Sequence, residues 1–306
     1  MNENAIGNKE TEEAMIPLAT VTITSRRLHL RVLASGGPRI LALHLDEGPN
    51  LLAETPNARW ETPWGTFALL GGHRLWHAPE AFPRSYWPDL IGPDAEQIDH
   101  GVILRSAIDP GGIAKSITIT LDPTHPRVHL RHTLTNHGLW SVELAPWAIT
   151  QLAPGGLAIV PLHHGQPPTN PLLPNRQIAF WPYTPLPDPR LSFCDDYILI
   201  DTSQAGPPAK IGTHGAAGWL AYLYQETMFV KLAVYHPHGR YPDRNCNLEV
   251  YYDHGCTELE TLAPLHHLEP GATVIHDEIW QVLPWSTTID QHDLFKALAK
   301  VAEELV

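Results

Sequence analysis

The chain has 306 residues, with 33 Asp and Glu against 20 Lys and Arg, and its formal net charge of −13 works against tracking a phosphate backbone or an anionic membrane surface. Hydrophobic residues make up 43% and charged residues 17%, which gives enough apolar material for a core and no compositional signature of disorder. No stretch reaches the ~18 uninterrupted apolar residues of a membrane-spanning helix, and Cys194, Cys246 and Cys256 form no C-x-x-C pair. The expectation is a folded, cytoplasmic protein with neither nucleic acid nor membrane as a partner.

Residues 1–15 read as a disordered polar tail. Met1 to Thr20 carries Glu10, Glu12 and Glu13 and no apolar core of signal-peptide length. Period-two alternation then begins in Leu28 to Val32 and predicts further strands at Ile40 to Leu45, Val102 to Ile108, Ile113 to Ile119 and Val128 to Asn136. Beyond these come Trp219 to Leu223, Phe229 to Tyr235, Leu248 to Tyr252 and Val274 to Leu283. The separators are turn chemistry: Asp109-Pro110-Gly111-Gly112, Asp122-Pro123-Thr124, Asn136-His137-Gly138, Asp253-His254-Gly255 and Glu269-Pro270-Gly271. Pro161 to Pro189 holds nine prolines interleaved with Phe180, Trp181 and Tyr183, too many for a central strand, and reads as a long irregular excursion lying on the body of the protein. Near the end, Leu294, Leu298, Val301 and Leu305 fall on one helical face, with Thr288 or Asp290 as cap. Many short strands and one helix argue for an all-β sandwich or barrel over residues 16–286, followed by an amphipathic helix over 287–306 that packs on it.

Two stretches mix ionisable groups with aromatic, proline and glycine residues: Leu70 to Glu80, with Gly71, Gly72, His73, Arg74, Trp76 and His77, and Leu259 to Pro264, with Glu260. A pyranose offers apolar C–H faces that stack on indoles and a rim of hydroxyls that wants partners such as Arg, Glu and His. A small-molecule sugar or sugar derivative is therefore the expected partner. His163-His164, His236-x-His238 and His266-His267 raise a metal possibility, but no zinc spacing of the H-E-x-x-H kind is present. Adjacent histidines on a strand point to opposite faces, and Pro237 interrupts the pair that would share one. Gly71-Gly72 and Gly111-Gly112 are lone doublets without a phosphate-loop or dinucleotide pattern. Neither a metal nor a cofactor is expected.

Three segments resemble the galactose mutarotase-like superfamily, which includes the aldose 1-epimerases and hexose-phosphate epimerases. They are Leu134-Thr135-Asn136-His137-Gly138 running to Leu152 and Pro154-Gly155-Gly156; Leu259-Glu260-Thr261 followed by Leu268-Glu269-Pro270-Gly271; and Gly71-Gly72-His73-Arg74. The resemblance spans Val21 to Pro284 and implies a β-supersandwich and an anomer-interconverting activity. That chemistry needs a base for the anomeric hydroxyl proton and an acid for the ring oxygen, with no metal or cofactor. By the resemblance Glu260 is the base, and Glu249 on a neighbouring strand competes for the role. The family's acid histidine is replaced by Trp147 and its neighbouring Asn by Pro146. His73 is the first replacement acid, because Gly71 and Gly72 permit close approach beside it; His77 and His236 are the others. Arg74, Trp76, Glu80 and Trp147 complete the expected sugar contacts. Structural alternatives stay open: Arg74 and Glu80 as an ion pair, Glu260 on a solvated face with Glu258, and the tryptophans as core. A non-catalytic sugar-binding module is the second functional reading. A hydrolase or lyase using Glu80 or Asp89 with Glu260 is the third.

Overall fold

A computed structural model describes residues 18–162, 172, 175–285 and 291–304. The polar tail over 1–15, the His163-His164 pair, the cap candidates Thr288 and Asp290, the Leu294 side chain and Leu305 lie outside the described residues. The alternating segments pair into two large antiparallel sheets. The first runs Thr20–Thr24, Leu28–Leu33, Arg39–Leu45, His73–Ala78, Val142–Leu152, Thr257–Leu262, Leu248–Tyr252, Ala209–Thr213 and Ile178–Phe180, and His266–Leu268 extends it beside Val142–Leu152. The second runs Leu191–Phe193, Tyr197–Asp201, Leu157–Pro161, Trp219–Tyr224, Thr227–Ala233, Thr273–Pro284, Arg127–Asn136, Ile113–Leu121, Gly101–Arg105 and Glu96–Ile98.

Alternation explains the second sheet. In Ile113–Leu121 every odd-numbered residue except the buried Lys115 is a buried apolar side chain, and the even ones are half-buried, so one face meets the core and the other meets water. The first sheet is covered on both faces at its centre, which is why Leu144 to Leu152 are buried without alternation. Its inner face packs on the second sheet. Its outer face lies under the hairpin Glu54–Thr62 and Gly65–Gly71, whose Phe67 meets Trp76 at 5.8 Å between ring centroids. The helix Gln291–Glu303 sets Leu298, Ala302 and Phe295 on the second sheet, with Phe295 stacked on Tyr197 at 4.9 Å.

The expected turns form as their chemistry dictates. Asp109 Oδ1 accepts the Ile113 N–H, Asn136 Oδ1 the Gly138 N–H, and Asp253 Oδ1 those of Gly255 and Cys256. Two strands stop short of expectation. Gly101–Arg105 ends where Ser106 Oγ takes the Lys115 N–H, and Thr227–Ala233 ends before the exposed Val234. Within the proline-rich excursion Ile178–Phe180 still forms a short strand, at the sheet edge where missing amide donors cost least. Gly71 and Gly72, at φ +84° and +69°, serve the backbone and not a ligand. A Cβ there would meet the Ala53 and Ile40 carbonyl oxygens at 2.1 and 1.9 Å.

Between the sheets runs a buried polar chain. His132 Nδ1 donates to the His276 carbonyl at 2.9 Å, which leaves its Nε2 to accept from His73 Nε2 at 2.9 Å. His73 Nδ1 then accepts from Thr150 Oγ1, which in turn accepts from Lys231 Nζ, each at 2.9 Å. Thr261 donates to Glu278 and accepts from His276 Nε2 at 2.8 Å, while Lys231 Nζ stands 3.1 Å from Glu278 Oε1. This arrangement needs His73 and His132 neutral, since each accepts at one ring nitrogen. Burial, then the nearby Lys231 ammonium, holds His73 well below the usual histidine range, burial lowers His132, and burial brings His276 down to about 3. Because their folded pKa values are depressed, the unfolded chain binds more protons as pH falls below about 6.5. Stability is thus expected to fall progressively from about pH 6.5 downward, read as a lower urea midpoint at about pH 5 than at about pH 7.5; equal midpoints would contradict a neutral histidine chain.

Candidate functional site

The strand register decides which side chains share a face. Glu249 is opposite Glu260, Glu260 opposite Ile149, and Ile149 opposite Arg74, so this row projects to the outer face of the first sheet. One residue along, Thr150 is opposite both Leu259 and His73, and that row projects inward. Lys210, Tyr251, Glu258 and Gln151 form a second outer row, and Leu262, Trp147 and Trp76 a third.

At the centre of the outer face Lys210 Nζ lies 2.7 Å from Glu249 Oε2 and 2.8 Å from Glu260 Oε2. The indoles of Trp147 and Trp181 flank the ammonium at 4.7 Å each. Trp147 Nε1 donates to Glu260 Oε2 at 2.5 Å. Burial lowers the Lys210 affinity for its proton, but the two carboxylates outweigh it and hold the ammonium well above the usual lysine range. Glu249 goes the other way: burial, reinforced by the charges of Glu260 and Asp243, raises it well above the usual carboxyl range despite Lys210. Asp243 is raised by burial. Alongside, Arg74 Nη2 pairs with Glu258 Oε1 at 3.2 Å, and its guanidinium carbon lies 4.5 Å from the Trp76 ring centroid.

Several buried polar atoms here have no hydrogen-bond partner among the described residues. The donors are Arg74 Nε and Nη1 and Trp76 Nε1; the acceptors are Glu260 Oε1, Gln151 Oε1 and Glu249 Oε1 and Oε2, the last an ion-pair neighbour of Lys210. Glu80 and Tyr183 lie exposed at the rim, where Tyr86 donates to Glu80.

Of the residues singled out in the sequence, the structure brings together Glu260, Glu249, Arg74, Trp76 and Trp147 on this face, with Glu80 at its rim. It does not bring His73 there. His73 is buried on the opposite face of the sheet and committed to Thr150 and His132. His77 shares that inward parity and faces Asp109 at 3.5 Å. His236 is an exposed residue beyond the strand Thr227–Ala233, so the strand does not continue through Pro237 to His238. No pairing of Glu260 with any of these three histidines is assembled. Arg74 pairs with Glu258 and not Glu80, and neither Glu258 nor Glu260 is solvated. Asp89 holds Arg39 at 3.1 Å, which commits it to a buried ion pair. Trp76 joins Trp147 edge-on at 5.5 Å between ring centroids.

Sequence reasoning missed Lys210 and Asp243. A single lysine in the apolar run Ala209-Lys210-Ile211-Gly212 was the available signal, since a buried charge requires a partner. One group of metal-type donors exists among the described residues: His73, His132 and Glu278, within 4.8 Å of one another. Its donors are taken up by each other and by Lys231, an ammonium already beside Glu278.

No protein-family model and no curated protein matches the chain. Solved structures do match its fold. A galactose mutarotase-like protein from Lactobacillus casei is 10% identical, with a TM-score of 0.54 over 87% of this chain and 100% of its own. A protein from Synechocystis sp. is 9% identical, with a TM-score of 0.56 over 90% and 99%. A TPR-domain containing protein from Parabacteroides distasonis is 13% identical, with a TM-score of 0.58 over 89% of this chain and 49% of its own, so this chain spans about half of it. The fold is the galactose mutarotase-like β-sandwich. Among the described residues, no helix is long and apolar enough to cross a membrane.

Removing Lys210 leaves Glu249 and Glu260 buried without their cation. Lys210→Met is expected to destabilise the fold by about 3–5 kcal/mol, measured by urea denaturation; a loss below about 1 kcal/mol would show that the ammonium is not what holds the two carboxyls.

Proposed function

We propose that this chain binds a carbohydrate on the outer face of the first sheet. The observation that carries the reading is the convergence of unmatched donors and unmatched acceptors beside indole rings. A sugar hydroxyl both donates and accepts, so a polyol suits Arg74 Nε and Nη1, Trp76 Nε1, Glu260 Oε1 and Gln151 Oε1 together. A purely anionic ligand would suit the arginine and be repelled by the glutamates, and an apolar ligand would leave all of them unsatisfied. The ligand comes against the rim formed by Glu80 and Tyr183. The Lactobacillus casei neighbour is a galactose mutarotase-like protein, which agrees with a sugar ligand, though fold alone does not choose a function.

The family's histidine–glutamate route is not part of this proposal. Trp147 stands where the acid histidine is expected and itself bonds the proposed base, which favours recognition of a sugar over catalysis by that pair. A cytoplasmic setting belongs to the same reading, supported by the unpaired Cys194, Cys246 and Cys256.

The test is saturation-transfer NMR with D-glucose, D-galactose, D-mannose and their 6-phosphates, on wild type and Arg74→Lys. Lysine keeps a cation for Glu258 and loses the guanidinium fork. At least one sugar is expected to bind, with affinity about tenfold weaker in the variant, equivalent to ~1.4 kcal/mol, and with little change in melting temperature. If none of these sugars binds wild type, or if the variant binds equally well, the reading is wrong.

A further inference from the structure

Resting on the carbohydrate reading above, we propose that the ligand of the outer face is an amino sugar, whose ammonium is met by the opposed carboxyls of Glu249 and Glu260. The two side chains come from directly opposed positions on adjacent strands and share Lys210 Nζ, at 2.7 and 2.8 Å. The lysine stands against Oε2 of each. Glu249 Oε1 and Glu260 Oε1 are left buried with no hydrogen-bond partner among the described residues. Carboxyls also outnumber cations here: Asp243, Glu258 and the rim residue Glu80 join Glu249 and Glu260, against Lys210 and an Arg74 that Glu258 already engages. The indoles of Trp147 and Trp181, 4.7 Å from Lys210 Nζ, present ring faces that favour a cation over an anion. A neutral hydroxyl would satisfy one of the free oxygens with one hydrogen bond. An ammonium brings up to three donors and a charge that offsets the surplus carboxyl.

The incoming charge displaces a proton. Glu249 is held well above the usual carboxyl range by burial, with Glu260 and Asp243 acting in the same direction and Lys210 opposing them. The Cys246 thiol, also close to Glu249, is pushed up by burial and stays neutral. A second cation on the free oxygen of Glu249 adds to the effect of Lys210 and favours the ionised carboxylate. Glu249 therefore gives its proton to solvent as the amino sugar binds. The linkage is reciprocal: affinity rises with pH for as long as the sugar keeps its ammonium charged. A hexose without an amine brings no charge and binds without releasing a proton.

The experiment is isothermal titration calorimetry at about pH 7, where an amine of the α-amino type is mostly charged, in two buffers of different ionisation enthalpy. The ligands are D-glucose, D-galactose and D-mannose, their 2-amino-2-deoxy and N-acetylated forms, and 6-amino-6-deoxy-D-glucose. At least one amino sugar is expected to bind wild type about tenfold or more tighter than its parent hexose, as a charge-assisted hydrogen bond provides, with net release of protons. N-acetylation removes the charge, so the acetylated forms are expected to bind no tighter than the parents. In Glu249→Gln the preference for the amine is expected to fall below about threefold and the proton release to vanish. If that variant does not fold, wild type decides alone: amino-sugar binding without proton release overturns the inference. Hexose binding with no preference for the amine overturns it and leaves the carbohydrate reading intact. A preference that survives Glu249→Gln also overturns it. If none of these sugars binds, the carbohydrate reading fails and this inference with it.

Discussion

A charge taken out of water must find a counter-charge within hydrogen-bonding reach, and the first sheet is organised around meeting that demand. Lys210, Arg74 and Arg39 all lie on its outer face, and each is matched: Lys210 by Glu249 and Glu260, Arg74 by Glu258, Arg39 by Asp89. Such pairs add little net stability over apolar packing, but breaking one partner away is costly. The ladder of opposed strand positions fixes where each partner stands, so a shift of one residue in register would bury every one of these charges against the wrong face. The ion pairs and the register therefore enforce each other.

The same parity separates support from chemistry. In Val142–Leu152, Trp147, Ile149 and Gln151 belong to the outer face, and Ala148 and Thr150 to the interior. Lys231 crosses from the second sheet to bond the Ala148 and Leu259 carbonyls and Thr150 Oγ1. The buried histidine chain thus braces the back of the strands whose front carries the glutamates. His73 and Arg74 are adjacent in sequence and serve opposite sides of one sheet.

This explains which parts of the site were legible in the sequence. Alternation and turn residues were enough for nine of the 22 strands among the described residues, and Arg74, Trp76 and Glu260 could be gathered from local texture, while Glu249 and Trp147 came from the family resemblance. The choice of His73 failed because a histidine beside glycines reads the same whether it faces a ligand or a core. Only the pairing of Thr150 with His73 settles its direction. Lys210 and Asp243 come from segments with no recognisable motif, and nothing local says that Ala209–Thr213 lies beside Leu248–Tyr252. The hairpin Glu54–Thr62 and Gly65–Gly71 was also missed, since mixed polar and aromatic residues there show no clean alternation.

The account turns on the buried Lys210 ammonium between Glu249 and Glu260 and on a burial of Glu249 deep enough to outweigh that cation. Carboxyl ¹³C NMR of the glutamate-labelled protein, assigned with Glu249→Gln, reads that balance directly. The account predicts that the Glu249 signal has the chemical shift of a neutral carboxylic acid at about pH 7. A Glu249 signal at the carboxylate position at that pH would mean that Lys210 outweighs burial there, and the account of this face would be wrong.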